Sequence, residues 1–475
     1  MATTPSRSVS DPRTLVTHPE IRSRQSFPFF KTIGEPPKNA LERLLSLFAD
    51  VRAGEGVGAS LLTVNVFLLL GLYSLLKPVR EALILTEPMF KSLSGPEQKA
   101  YAAAAQAVLL MGVVPFYGWL ATRMPRIRLI GITGAFFVLN LGLFYLGGLA
   151  GMRVGVAFFI WLGIFNVFVV AQFWAFANDL YTEGQGQRLF PLIGVGASLG
   201  AWVGAQAVPG LLKQAGFTTY TLMFMAGAIL VFALGITFFV NRRETARADP
   251  TAKRINDAPL SRQGGFELIF KDRYLLWIAV LTVLLNVVNA TGQFLLDNVV
   301  TAEAAARFGS GPEQHEARVI FLGSFYGNFQ AATNLVGFLL QLFVTSRVMR
   351  FIGVRGALFI LPLLALINYS VIAVAPILAV IRVGKILENG TDYSIQNTIR
   401  AALFLPTSRE AKYKSKAAID TFFMRTGDVV SAGFVAAGKA LSVGVPAFAW
   451  LNVGLTGAWI VVARQIAREH RRKTF

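Results

Sequence analysis

Twelve apolar blocks of about 20 residues follow one another along this chain, and each is long enough to cross the roughly 30 Å hydrocarbon core of a bilayer as a helix. They lie near 60–80, 100–121, 129–150, 154–178, 190–212, 219–240, 274–297, 317–345, 357–375, 376–400, 417–438 and 444–463. The chain therefore reads as an all-α integral membrane protein, and a soluble enzyme is excluded. Composition agrees: only 15% of the 475 residues are charged, against about 25% in soluble domains. Cysteine is absent, which removes disulfides and thiolate metal sites, and three scattered histidines (His18, His315, His470) do not make a zinc site. No metal and no cofactor are expected.

The formal charge of +19 is read as a topology signal rather than as a nucleic-acid footprint. With twelve spans both termini lie on one side. That side carries 33 Lys and Arg, and the opposite loops hold 7. Because positive residues stay cytoplasmic, both termini are placed in the cytoplasm. Residues 1–55 form a polar N-terminal tail, within which 39–52 has the spacing of an amphipathic surface helix. The polar stretch 241–273 links two six-helix halves, 56–240 and 274–465, and 466–475 forms a basic tail. Such a 6+6 layout is expected of a transporter built from two repeats.

Five cationic residues fall inside or at the ends of spans: Lys77, Arg80, Arg382, Lys385 and Arg425, with Glu81, Glu388, Asp392, Asp420 and Asp428 nearby. Each such charge facing lipid costs about 2.5–3.5 kcal/mol even on the lenient insertion scale. They must be paired, interfacial, or lining a hydrated cavity. Helical spacing sorts them. Arg382, Lys385, Asn389, Asp392, Gln396 and Arg400 fall within about an 80° stripe of span 10. Span 7 carries Thr282, Asn286, Asn289, Gln293 and Asp297 on one face, and span 8 carries Tyr326, Gln330, Thr333, Asn334 and Gln341. Spans 3, 6, 9 and 12 hold little that is strongly polar. Hydrogen bonding between helices is the competing reading of the uncharged stripes.

Three segments carry the specificity: YSLLKPVREALILTE (73–87), FWAFANDLYTEGQGQRLFPLIGVGASLGAWVG (173–204), and GKILENGTDYSIQNTIRAALFLPTSREAKYKSKAAIDTFFMRTGD (384–428). In the first, Pro78 interrupts a helix beside Lys77, Arg80 and Glu81. In the second, GVGASLG (194–200) follows no strand and opens no βαβ unit, so it reads as close helix packing rather than a phosphate loop.

These segments resemble the ADP/ATP translocase family, the nucleotide transporters of plastids and intracellular bacteria, a relative of the major facilitator class. FWAFAND and RLFPLIGVGA are similar to the family's FWGFAN and KFYPLFGLGA. The 392–420 stretch is similar to its KYSLFDPxKEMAYIPLDxExKxKGKAAID, with Tyr393, Ser394, Lys416, Ala417, Ala418 and Asp420 coinciding. Lys77-Pro78 replaces the Arg-Asp of the family's Arg-Asp-x-Lys-Asp, whose lysine falls on Arg80. Leu162 stands where characterised members have an acidic residue, and Ser415 replaces a glycine. The chain thus looks like a divergent bacterial branch.

The resemblance implies a twelve-helix, major-facilitator-like carrier in a bacterial inner membrane that exchanges ATP- and ADP-type nucleotides by alternating access. A nucleotide brings about three to four negative charges into a low-dielectric cavity and needs Arg or Lys there. Under that reading Arg80, Arg382 and Lys385 contact phosphates, and Lys77, Asn286, Gln293, Asp392 and Gln396 complete the site. Lys412, Lys414, Lys416, Asp420 and Arg188 guard the cytoplasmic entrance, and Glu81 and Glu388 neutralise the empty site. Tyr73, Tyr326 and Trp174 are candidates for base stacking, with packing the alternative. Cations from both halves are expected to converge on one hydrated interior. There is no GxxxxGK[ST] loop, so gradients rather than hydrolysis supply the energy. The rival expectation is a major facilitator carrier of another phosphorylated or organic anion, with or without proton coupling. The partners implied are a nucleotide or other small anion and the bilayer, with no nucleic acid. The sequence leaves the oligomeric state open, and a monomer suffices.

Overall fold

In an apolar medium every backbone N–H and C=O must find its partner within the segment, which leaves helices as the solution for runs of this kind. The computed structural model describes residues 38–46, 50–90, 92–121, 123–181, 183–245, 265–408 and 411–474, and among them there is no strand. Among the described residues, ten helices are long and apolar enough to cross a membrane. These include span 1 (Gly56–Thr86), span 2 (Gly95–Ala121), span 3 (Arg126–Leu149), span 4 (Gly155–Leu180), span 5 (Glu183–Lys213) and span 6 (Thr219–Thr245). The second half supplies span 7 (Arg273–Phe308), span 8 (His315–Phe351), span 9 (Ile360–Val374) and span 12 (Val445–Thr474).

Spans 10 and 11 are helical over 378–403 and 411–440 but carry too much charge to read as simple apolar crossings. Both are interrupted by π-helical turns, at Asp392–Gln396, Ala411–Ser415 and Ile419–Phe423, and span 8 has another at Leu340–Val344. Such turns concentrate at functional sites. The amphipathic surface helix reduces to Ala40–Leu45, capped reciprocally by Asn39 and Glu42. Most of the expected 1–55 tail and the 246–264 part of the linker lie outside the described residues. The basic segment 466–475 continues the last helix as far as Thr474 rather than leaving it.

One apolar core is built from residues of spans 1, 3, 4, 5 and 6, and a second mainly from spans 7 to 12. Spans 3 and 6 pack on each other, as do spans 9 and 12. Their outer faces expose Phe136, Leu139, Leu143, Phe232, Phe239, Ile367 and Val371, as the lipid-like composition of those four spans predicts. The halves meet where span 8 packs on spans 1 and 5 and where span 11 packs on span 2. The ends near residues 55, 188, 272, 403 and 470 form the face of the chain termini, and the loops 87–94, 150–154, 214–218 and 309–314 form the opposite face.

The glycine-rich run lies wholly inside span 5, which confirms packing over a phosphate loop. A Cβ on Gly200 would lie 2.1 Å from the Phe67 carbonyl oxygen, and one on Gly204 would lie 2.0 Å from that of Gly71. These glycines set how closely spans 1 and 5 approach. Gly204→Ala is expected to destabilise the protein by about 1–3 kcal/mol through overpacking, read as a lowered melting temperature in detergent. Gly194→Ala, which meets nothing within 4 Å, is the control. Equal melting temperatures for the two variants would refute this account of the packing.

Candidate functional site

Spans 1, 2, 7, 8, 10 and 11 enclose a central cavity of about 220 Å³. Its charged lining is Lys77, Arg80 and Lys99 from the first half, facing Glu81 from the same half and Asp297 and Asp428 from the second. Pro78 sits within the long first helix, and the three residues Lys77, Arg80 and Glu81 place their side chains on one stretch of its surface.

Most of these charges are tied. Arg80 pairs with Glu81 and stacks over the Phe159 ring at 4.3 Å. The Lys99 ammonium bridges Glu81 Oε2 at 2.5 Å and Asp297 Oδ2 at 2.7 Å. Asp297 also accepts from the Tyr326 hydroxyl and, at 2.8 Å, from Gln293 Nε2. On the far wall Asn286 Nδ2 donates to Asp428 Oδ1 at 2.9 Å, and Arg425 lies 3.4 Å from Asp428 Oδ2 on the same helix. Glu81 and Asp297 are 4% and 1% exposed, so their charges depend on these partners rather than on water. Lys77 differs. No carboxylate lies within ion-pair distance of it among the described residues. The cavity wall therefore holds three cations against three carboxylates, and Lys77 is the one cation among them without an ion-pair partner.

Lys77, Arg80, Glu81, Asn286 and Gln293 line the cavity as the sequence predicts. The expected convergence of cations from both halves is not found: all three lining cations come from spans 1 and 2. Arg382 is not in the lining but sits over the Phe325 ring at 5.3 Å. Lys385 is fully buried behind the wall, paired with Glu388 at 2.9 Å and donating to Asn289 Oδ1 at 2.9 Å. Asp392 and Gln396 fall in the π-turn, also outside the lining. Span 10 is rotated so that Asn389 and Tyr393 face the cavity instead. Tyr326 is a hydrogen-bond donor to Asp297 rather than a free stacking platform.

At the face of the termini, Lys416 pairs with Asp420 one turn on, at 2.5 Å. The Lys412 side chain lies outside the described residues. Arg188 joins the starts of spans 5 and 1, contacting both Glu55 oxygens at 2.8 and 3.0 Å. It links two helices of one half rather than the two halves. Burial pushes the Glu55 carboxyl up, but hydrogen bonds from Arg188, the Arg52 N–H and Gln185 outweigh it and hold the group below its usual value of 4.5. A carboxyl depressed in the folded state contributes stability above its unfolded value and loses it as pH falls through the folded one. Wild type is expected to be more stable than Glu55→Gln at neutral pH, and the two melting temperatures should converge below about pH 4.5. A constant difference across that range would refute the assignment.

Sequence reasoning missed Lys99. Its charge counts as a loop residue if span 2 starts near 100, but the helix begins at Gly95 and carries Lys99 a full turn inside. The charge contacts that join the halves lie toward the opposite face: Lys99–Asp297, and Lys439 to Glu97 at 3.0 Å and to the Ser92 carbonyl at 2.5 Å. Toward the face of the termini, a larger cavity of about 880 Å³ lies along spans 5 and 8, and Tyr393 lines both it and the central one.

Two helical bundles holding a charged cavity between them give a fold of the major facilitator type. A POT family transporter in complex with a thioalcohol conjugated peptide superposes with a TM-score of 0.62 at 14% identity, covering 88% of this chain and 97% of that one. A bacterial homologue of the iron transporter ferroportin in an inward-facing state gives 0.61 at 13% identity, covering 86% and 98%. Residues 158–470 match the TLC ATP/ADP transporter family, and the chain belongs to that family. ADP,ATP carrier protein 1 of Chlamydia muridarum is 22% identical over 345 residues, covering 63% of this chain and 62% of its own length. The matched region thus spans less than two thirds of that carrier. ADP,ATP carrier protein 2 of Chlamydia trachomatis serovar D is 21% identical over 481 residues, covering 85% and 86%.

Proposed function

We propose that this protein exchanges nucleotides of the ATP and ADP type across a bacterial inner membrane, with the face of the termini in the cytoplasm. The observation that carries the reading is the unpaired ammonium of Lys77 beside Arg80 and Lys99 in the cavity wall. A polyphosphate entering there meets one unpaired ammonium and two cations whose carboxylate partners it can displace. Arg80 offers the forked donor geometry suited to phosphate.

At 220 Å³ the central cavity is smaller than the roughly 300–1,000 Å³ of whole-ligand sites. The phosphates occupy it, and the ribose and base extend past Tyr393 into the 880 Å³ cavity between spans 5 and 8. Substrate binding frees Glu81 and Asp297 from Arg80 and Lys99, which loosens the charge contact closing the opposite face. An empty carrier keeps that contact made, and uncompensated buried charges are costly. Exchange follows from the same network. The lining amides Asn286, Asn289 and Gln293 orient the ligand, while Arg382, Lys385, Asp392 and Gln396 support span 10 from behind. Lys414, Lys416 and Asp420 contribute charge at the cytoplasmic mouth.

The rival reading is carriage of another phosphorylated or organic anion with a proton, which the cavity carboxylates Asp297 and Asp428 would carry. Uptake of labelled ADP into proteoliposomes preloaded with ATP, with no proton gradient, separates the two. Nucleotide uptake independent of the gradient supports exchange. Uptake of other anions only, and only with an imposed gradient, overturns it.

A further inference from the structure

A second cavity of about 550 Å³ opens on the opposite face, away from the central one, between the outer ends of spans 1, 5, 6 and 8. Its wall brings together Arg153, from the turn between spans 3 and 4, and His315 and Arg318, from the start of span 8. The two guanidiniums thus belong to different halves of the molecule. Each is fixed by loop carbonyls rather than by an acid. Arg153 Nη1 donates to the Pro88 oxygen at 2.8 Å, and Arg318 Nη1 donates to those of Gly309 and Gly311 at 2.5 and 3.1 Å.

The wall's carboxylates are Glu87 and Glu316. Glu87 is engaged by the Tyr220 hydroxyl at 3.0 Å, and neither lies within ion-pair distance of Arg153 or Arg318. A guanidinium carries five N–H donors in a fixed fork, so most of the donors on both arginines remain for a ligand. Arg80 and Arg188, by contrast, each carry a carboxylate, Glu81 and Glu55. Here the two positive charges face a cavity large enough for a ligand and lack one.

We infer that this cavity is a separate oxyanion site, taking a phosphate-type group held by Arg153 of one half and Arg318 of the other, with His315 at its edge. The occupant presents phosphate oxygens, whether as a free phosphorylated solute or as the headgroup of an anionic lipid at the outer end of spans 5 and 8. Because one arginine comes from each half, the bound anion ties the halves together on this side. It does there what Lys439 and Glu97 do between spans 11 and 2, and so favours closure of the opposite face.

The test is titration of inorganic pyrophosphate onto the full-length protein in phosphatidylcholine nanodiscs, read by calorimetry. Wild type and Lys77→Gln should share one class of site, which Arg153→Gln and Arg318→Gln each weaken by at least about tenfold, the loss typical of a charge-assisted bond. Arg153→Lys and Arg318→Lys, which keep the charge, should bind more tightly than the Gln variants, separating loss of the anion from misfolding. Retention of every site in both Gln variants overturns the inference, and loss in Lys77→Gln alone does the same, since it assigns all binding to the central cavity. Repeating the titration in phosphatidylglycerol discs identifies the source. Binding that persists marks a free anion, and binding that the anionic lipid abolishes marks a headgroup.

Discussion

Lys77→Gln is expected to weaken nucleotide binding by about 10- to 100-fold, because a hydrogen bond to a charged group contributes about 1.5–3 kcal/mol. Arg80 and Lys99 are held by Glu81 and Asp297, and Asp428 by Asn286 and Arg425, which leaves the Lys77 ammonium as the one lining cation without an ion pair. Removing it leaves two lining cations against three carboxylates, so an anion must break ion pairs with no free ammonium in return. Lys77→Arg should retain most of the affinity. Calorimetric titration of ATP onto the purified variants checks both, and unchanged affinity in Lys77→Gln would overturn the assignment of the phosphate site.

Asp297→Ala is expected to have the largest effect on stability. It removes the acceptor shared by Lys99, Tyr326 and Gln293 and leaves a buried ammonium with Glu81 alone. Breaking one side of a buried pair costs about 3–5 kcal/mol, and here the broken contact also joins the two halves. The variant should melt earlier and leak substrate without exchange, since the opposite face is less firmly closed. The double variant Lys99→Met, Asp297→Leu removes both charges and should recover most of the melting temperature but not the exchange. A double variant no more stable than Asp297→Ala would show that the pair is not the unit.

Much of the fold was legible in the chain because its causes are local. Apolar runs of bilayer length, lipid-like third helices and the glycine spacing of span 5 each follow from periodicity, and each reappears in the packing. The span 7 face was legible too: Asn286, Asn289, Gln293 and Asp297 share one side, and all four line the cavity. Span 10 is the exception. Periodicity identifies a polar stripe but not the rotation of the helix about its axis, and packing against spans 8 and 9 turned Arg382 and Lys385 away from the cavity. A π-turn at Asp392–Gln396 further breaks the regular spacing on which the stripe was computed. Lys99 was missed because a helix start displaced by one turn converts a loop charge into a site charge.

The most direct measurement is efflux of labelled ADP from proteoliposomes into buffer with and without external ATP. If the Arg80–Glu81–Lys99–Asp297 network must be opened by an entering anion, efflux is fast with ATP outside and nearly absent without it. Equal efflux into substrate-free buffer would mean that the empty carrier crosses freely, and that the charge network does not couple the two directions of transport.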